Sequence, residues 1–106
     1  MVIQRYDLVL VNLDPTIGSE YKKTRPCVVV SPNDMNNALQ TIIIAPLTSR
    51  IRGWKFRPLI TGPKQESELA LDQIKVIDKT RIIKKLGALN PNDQLAVYET
   101  LQEIFV

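Results

Sequence analysis

Glu20 and Arg25 stand five positions apart in a polar loop, Leu13-Asp14-Pro15-Thr16-Ile17-Gly18-Ser19-Glu20-Tyr21-Lys22-Lys23-Thr24-Arg25-Pro26, which separates two strongly apolar runs. A carboxylate can take a proton, and a fixed guanidinium offers a fork of donors that matches phosphate oxygens and neutralises charge building on them. Pro26 biases the residue before it to an extended backbone, which places Arg25 at the mouth of a strand. A plainer use is also open, in which Glu20 and Arg25 form a salt bridge that ties the loop down. Loop length weighs toward function. Tight turns need two to five residues of Gly, Asn, Asp or Pro chemistry, whereas this connection takes about a dozen, and unstructured connections of that size are commonly functional.

Other residues extend the same chemistry. Thr48 and Ser49 follow the apolar run that ends at Pro46-Leu47, where hydroxyls can hold a phosphate or simply bond their own backbone. Asp72 and Gln73 lie within Glu68-Leu69-Ala70-Leu71-Asp72-Gln73-Ile74-Lys75-Val76-Ile77. An aspartate inside an apolar strand is expensive unless paired, so it either meets a buried cation such as Arg25 or Arg81 or lines a cleft. Trp54 and Phe56 sit among Arg50, Arg52, Lys55 and Arg57. Aromatics interleaved with cations suit unpaired nucleic acid, whose bases stack while its phosphates are neutralised. Alternatively both rings point into the core and the cations point out.

Absences narrow the choice. The chain has no histidine, which excludes Ser-His-Asp and Cys-His nucleophiles, His-ligated zinc and a histidine acid–base pair. Its lone cysteine, Cys27, cannot form an intrachain disulfide and reads as a small hydrophobe in a strand, an expectation that suits a reducing cytoplasm. The N-terminal apolar run is interrupted by Asp7, Asn12 and Asp14, so neither a signal peptide nor a membrane span is expected. The net charge of +3 is unevenly spread. Residues 1–49 balance, residues 50–85 carry ten cations against four anions, and residues 86–106 carry only three anions. A basic middle beside an acidic tail suggests a polyanionic or acidic partner for one face, or lysines that only keep a barrel soluble.

The elements that must position these groups are short. At 106 residues, 44% of them hydrophobic, the chain makes one domain spanning 1–106. Strands are expected over Tyr6 to Leu13, Pro26 to Ser31, Thr41 to Leu47, Arg57 to Thr61, Leu69 to Ile77 and Arg81 to Leu86, led by the β-branched triplets Val28-Val29-Val30 and Ile42-Ile43-Ile44. A short helical turn is expected over Pro32 to Leu39. At the C-terminus the period changes. Asn90 suits an N-cap, Pro91 the first helical position and Asp93 the positive end of the dipole. Val97, Tyr98, Leu101, Ile104 and Phe105 then form an apolar stripe, expected to dock on the sheet as core. The pattern predicts an α+β fold, a small, strongly curved β-sheet or barrel closed by a terminal helix.

The order Tyr6-Asp7-Leu8-Val9-Leu10-Val11-Asn12-Leu13-Asp14-Pro15-Thr16-Ile17-Gly18-Ser19-Glu20, then Thr24-Arg25-Pro26 with its valine run and Ser31-Pro32, closely resembles the MazF/PemK family of bacterial toxins. Pro46-Leu47-Thr48-Ser49 and Leu69-Ala70-Leu71-Asp72-Gln73-Ile74 resemble two later family segments, so the likeness spans nearly the whole chain. The resemblance implies an antiparallel SH3-like barrel of the CcdB/MazF type, homodimeric. It also implies a metal-independent endoribonuclease without cofactors that cuts single-stranded messenger RNA. A cognate antitoxin with an acidic, largely disordered segment would silence it. By the same resemblance Arg25 matches the catalytic arginine, Thr48 the catalytic hydroxyl, Glu20 the loop glutamate of the MazF branch and Asp72 the base of the PemK branch. Ser19 stands where the PemK branch often has His, and Ala70 where it often has Arg, so the base stays open between Glu20 and Asp72. Ser19, Lys22, Lys23, Ser49, Arg50, Arg52, Trp54, Phe56 and Gln73 complete the expected RNA contacts. Two rivals remain, a non-catalytic gyrase poison on the same fold and a plain SH3-like binding barrel.

Overall fold

A computed structural model describes residues 1–13 and 24–106. Among the described residues seven antiparallel strands make one curled sheet: β1 (Asp7–Asn12), β2 (Thr24–Val29), β3 (Thr41–Thr48), β4 (Leu59–Thr61), β5 (Glu66–Leu69), β6 (Lys75–Asp78) and β7 (Ile82–Ala88). The helices are α1 (Asn33–Ala38) and α2 (Pro91–Phe105). The order along the sheet is β4-β5-β3-β2-β1-β7, with β6 also paired to β3.

The β-branched runs make the central strands because residues that are stiff at χ1 fit a pleated surface buried on both faces. Their alternation builds two cores. On one face Leu8, Val28, Ala45, Leu47 and Leu69 pack with Val97 of α2. On the other, Val9, Val11, Cys27, Val29, Ile42 and Ile44 pack with Ile3 and Ile77. β3 is the shared element, pairing with β2 on one edge and with β6 and β5 in succession along the other.

Two sequence expectations are corrected. The single strand expected from Leu69 to Ile77 is two, because the chain leaves the β3 ladder after Ala70 N–H donates to Pro46 O at 2.9 Å. Leu71 drops into the core, and Gln73 N–H closes a single helical turn onto Ala70 O. Asp72 therefore rides on an exposed turn. The C-terminal stripe is also only partly core. Asn90 caps α2 as expected, accepting from Asp93 N at 2.8 Å, and Asp93 Oδ2 accepts from Thr61 N at 2.9 Å to tie the helix start to β4. Val97 is buried and Leu101 half-buried, but Tyr98 and Phe105 are 48% and 67% exposed. Among the described residues no helix is long and apolar enough to cross a membrane.

Candidate nucleic-acid interface

The β2–β3 register pairs Val29 with Ile44, Val28 with Ala45 and Cys27 with Pro46. Continued two residues past the last pair, it brings Arg25 level with Thr48. Side chains alternate along strands, so both belong to the face that carries Cys27 and Ile44. Arg25 is exposed and Thr48 half-buried, and on the other edge of β3 Thr48 pairs with Glu68 of β5. Thr48 Oγ1 accepts from Arg50 N at 3.2 Å, the turn bond open to it from sequence, and this leaves the hydroxyl proton for another acceptor.

Burial pushes the Cys27 thiol up to about 12, while the positive charges of Arg25 and then Lys75 pull it down. Both charges act on one sulfur, and Lys75 lies opposite Ile44 in β6. A thiol held neutral is no nucleophile, in keeping with Cys27 as a core residue.

A second cluster lies on the β3–β4 loop. The rings of Trp54 and Phe56 stack with centroids 5.4 Å apart and planes 23° apart. The guanidinium carbons of Arg52 and Arg57 stand 4.8 and 4.7 Å from the centre of the Trp54 ring. Both aromatics are 41% exposed, so the rings do not point into the core. Arg57 grips Asp72 with two bonds, Nε to Oδ1 at 2.8 Å and its terminal nitrogen to Oδ2 at 2.9 Å. The cation that meets Asp72 is therefore neither Arg25 nor Arg81. A local signal is present in the sequence, since Asp72-Gln73 are two consecutive polar residues, which a strand buried on both sides does not accommodate.

The Arg57 guanidinium holds the Asp72 carboxyl below the usual carboxylate range. A depressed folded value stabilises the protein above the unfolded carboxylate value of about 4, and that contribution is lost as pH falls through the lower folded value. Asp72 is partly exposed, which limits the pair to about 0.2–1 kcal/mol. Urea midpoints of wild type and Asp72→Asn should therefore differ by a small constant amount near neutrality and converge below about pH 4. A gap that widened on acidification would exclude the ion pair as its source.

Glu68 was not singled out from the sequence. It is 1% exposed, and its Oε2 accepts from Arg52 N at 3.0 Å and from Gly53 N at 2.8 Å. The remaining candidates disperse. Ser49 lines a cavity of about 460 Å³ with Thr24, Pro26, Leu47 and Lys84, residues that alternate with Arg25 and Thr48 and so face the other way. Arg50 and Gln73 are exposed. Among the cations of residues 50–85, Lys85 pairs with buried Asp7 at 3.1 Å and Lys79 donates to Asn36 O, so both serve the fold. Ser19, Glu20, Lys22 and Lys23 lie outside the described residues. Among the described residues no three acidic or cysteine side chains form a group that could hold a metal ion.

Comparison with known proteins adds to this geometry. Residues 4–105 match the family described as PemK-like, MazF-like toxin of type II toxin-antitoxin system. The endoribonuclease toxin MazF of Escherichia coli K12 is 34% identical over 88 residues, covering 82% of this chain and 79% of that one. The endoribonuclease EndoA of Bacillus subtilis 168 is 32% identical over 109 aligned positions, covering 96% and 93%. Among solved structures, a MazE–MazF complex from Deinococcus radiodurans superposes with a TM-score of 0.81 at 23% identity, covering 99% of this chain and 97% of that one. A mycobacterial endoribonuclease in complex with its cognate antitoxin gives 0.81 at 17% identity, covering 95% and 92%. At these identities the two superpositions speak for the fold, a curled antiparallel half-barrel with a C-terminal helix.

Proposed function

The chain belongs to the PemK-like, MazF-like toxins of type II toxin–antitoxin systems, and from that premise we propose that it is an endoribonuclease that cuts single-stranded RNA without a metal ion. The observation that supports this reading is the β2–β3 register, whose last pair, Cys27 with Pro46, lies two residues short of Arg25 on β2 and of Thr48 on β3, with Thr48 paired to Glu68 of β5. In the proposed reaction the RNA 2′-OH attacks the adjacent phosphorus in line, the P–O5′ bond breaks, and the ends are a 2′,3′-cyclic phosphate and a 5′-OH. A carboxylate takes the 2′ proton, and the departing oxygen takes one from water. Arg25 neutralises the non-bridging oxygens and Thr48 holds one of them. Because a guanidinium does not give up its proton under working conditions, its role is electrostatic rather than proton donation.

Both oxygens of Asp72 are engaged by Arg57, and its depressed proton affinity weakens it as a base. That favours Glu20 for proton removal and leaves Asp72 to fix Arg57 against Trp54. The exposed rings and guanidiniums offer stacking and phosphate contacts to unpaired bases. The same cationic surface suits the acidic segment of a cognate antitoxin, and the exposed apolar residues of α2, Leu95, Tyr98 and Phe105, suit a second copy of the chain.

The deciding experiment incubates the purified protein with a long single-stranded RNA in excess EDTA. Cleavage with 5′-OH ends, and none where the nucleotide 5′ to the cut is 2′-deoxy, is the expected result. Intact RNA, with inhibition of DNA supercoiling, would instead support the gyrase-poison reading.

A further inference from the structure

We propose that Glu68 is a positioning residue for RNA binding, a buried clamp that holds the β3–β4 loop so that Arg52, Trp54 and Phe56 act as one platform. This deepens the endoribonuclease reading and rests on it. Glu68 pairs with Thr48 on one side and Leu59 on the other, the residues at which the chain leaves β3 and enters β4. Its backbone therefore spans the base of the loop. Its side chain reaches toward the far end, where a single oxygen accepts the successive amides of Arg52 and Gly53. Gly53 is in the left-handed region, with φ of +75°, a conformation that helps two consecutive N–H groups converge on one anion.

A carboxylate is a costly choice at this position. Its neighbours Leu69, Ala70 and Leu71 are buried and apolar, and its second oxygen, Oε1, is buried with no hydrogen-bond partner among the described residues. Burying a charge that is only half satisfied is unfavourable, and an apolar side chain would serve packing better. What the carboxylate adds is a fixed loop and a negative charge beneath it. The charge bears on Arg57, whose guanidinium it helps to hold protonated after the larger effect of Asp72. Two acids thus brace the Trp54 cluster, Asp72 from the exposed turn and Glu68 from within β5.

The chain has a single tryptophan, so Trp54 emission reports on this loop alone. Glu68→Leu should shift that emission to the red and raise its quenching by acrylamide. It should also raise KM for a single-stranded RNA roughly tenfold to a hundredfold, the loss of a charge-assisted pair of bonds, with kcat unchanged. Glu68→Gln keeps an acceptor oxygen and should retain emission and KM. In the wild type, the Arg52 and Gly53 amides should exchange with deuterium slowly. Freely exchanging amides overturn the clamp, and so does Glu68→Leu with wild-type emission and KM. A fall in kcat at unchanged KM, or altered emission with unaltered KM, overturns the role in RNA binding. If Glu68→Leu fails to fold, exchange in the wild type and the Gln variant decide. If the wild type leaves RNA intact, the nuclease reading falls, and emission and exchange still show whether the loop is clamped.

Discussion

Arg25→Ala is expected to cut single-stranded RNA about 10²–10³-fold more slowly than the wild type, the usual consequence of removing a pre-placed donor from a developing oxyanion. The size follows from placement. Pro26 restricts the backbone at Arg25 to extended geometry, β2 fixes its direction through pairing with Val11 of β1, and the guanidinium stands exposed at the strand mouth. Among the described residues it has no salt-bridge partner, and Glu20 lies outside them. The loss should fall on kcat, because an interaction that strengthens as the phosphorane forms acts on the transition state more than on bound RNA. Arg25→Lys should recover part of the rate, since a point charge replaces the charge but not the planar fork. Folding should be nearly untouched, as for most exposed side chains, within about 0.5 kcal/mol. Single-turnover cleavage beside a thermal melt separates the two effects. A rate within twofold of wild type would remove Arg25 from the reaction and place the stabilisation of the developing charge on other residues.

Much of this arrangement is legible from the residues alone. Val28-Val29-Val30 and Ile42-Ile43-Ile44 announce strands buried on both faces, and Asn90-Pro91 with Asp93 announces the start of α2, cap bond included. Local chemistry decided those features, so a string of letters contains them. What escaped depends on partners distant in sequence. Asp72 looks like a buried strand residue until Ala70 makes the last ladder bond to Pro46 and the next residues turn outward. Arg57 becomes its partner only because β4 and β5 fold back beside β3. Glu68 gives no signal of its own, since a lone glutamate ahead of Leu-Ala-Leu reads as a solvated strand edge until the loop above it is seen to need an acceptor. The apolar stripe of α2 has the correct period, but period says only that residues share a face. It does not say how wide the covered face is, and here Val97 is covered while Tyr98 and Phe105 are not.

The geometry of Arg25 and Thr48 depends on β3 more than on any other element, and Ile44 is where that dependence concentrates. Ile44 is fully buried, pairs with Val29 of β2 and Lys75 of β6, and packs among Cys27, Val29 and Ile42 in the core below the proposed site. Ile44→Ala is expected to cost about 2–5 kcal/mol, the transfer free energy of the lost methyl groups plus the cavity that a sheet pinned on both sides cannot collapse to fill. A domain of this size has about 5–15 kcal/mol in total, so the variant should unfold at a much lower urea midpoint with little change in the slope of the transition. Val76→Ala is the control, since its side chain is 62% exposed on β6 and carries no comparable packing. The two substitutions remove similar chemistry one strand apart, and only burial distinguishes them. Activity should divide the same way. At low temperature, where Ile44→Ala is still mostly folded, cleavage per folded molecule should stay near wild type, and it should collapse on warming at the unfolding midpoint. A cost below about 1 kcal/mol, within the range of surface substitutions, would mean that β2 and β6 can close around the gap. In that case the register that sets Arg25 against Thr48 would be held from elsewhere in the sheet.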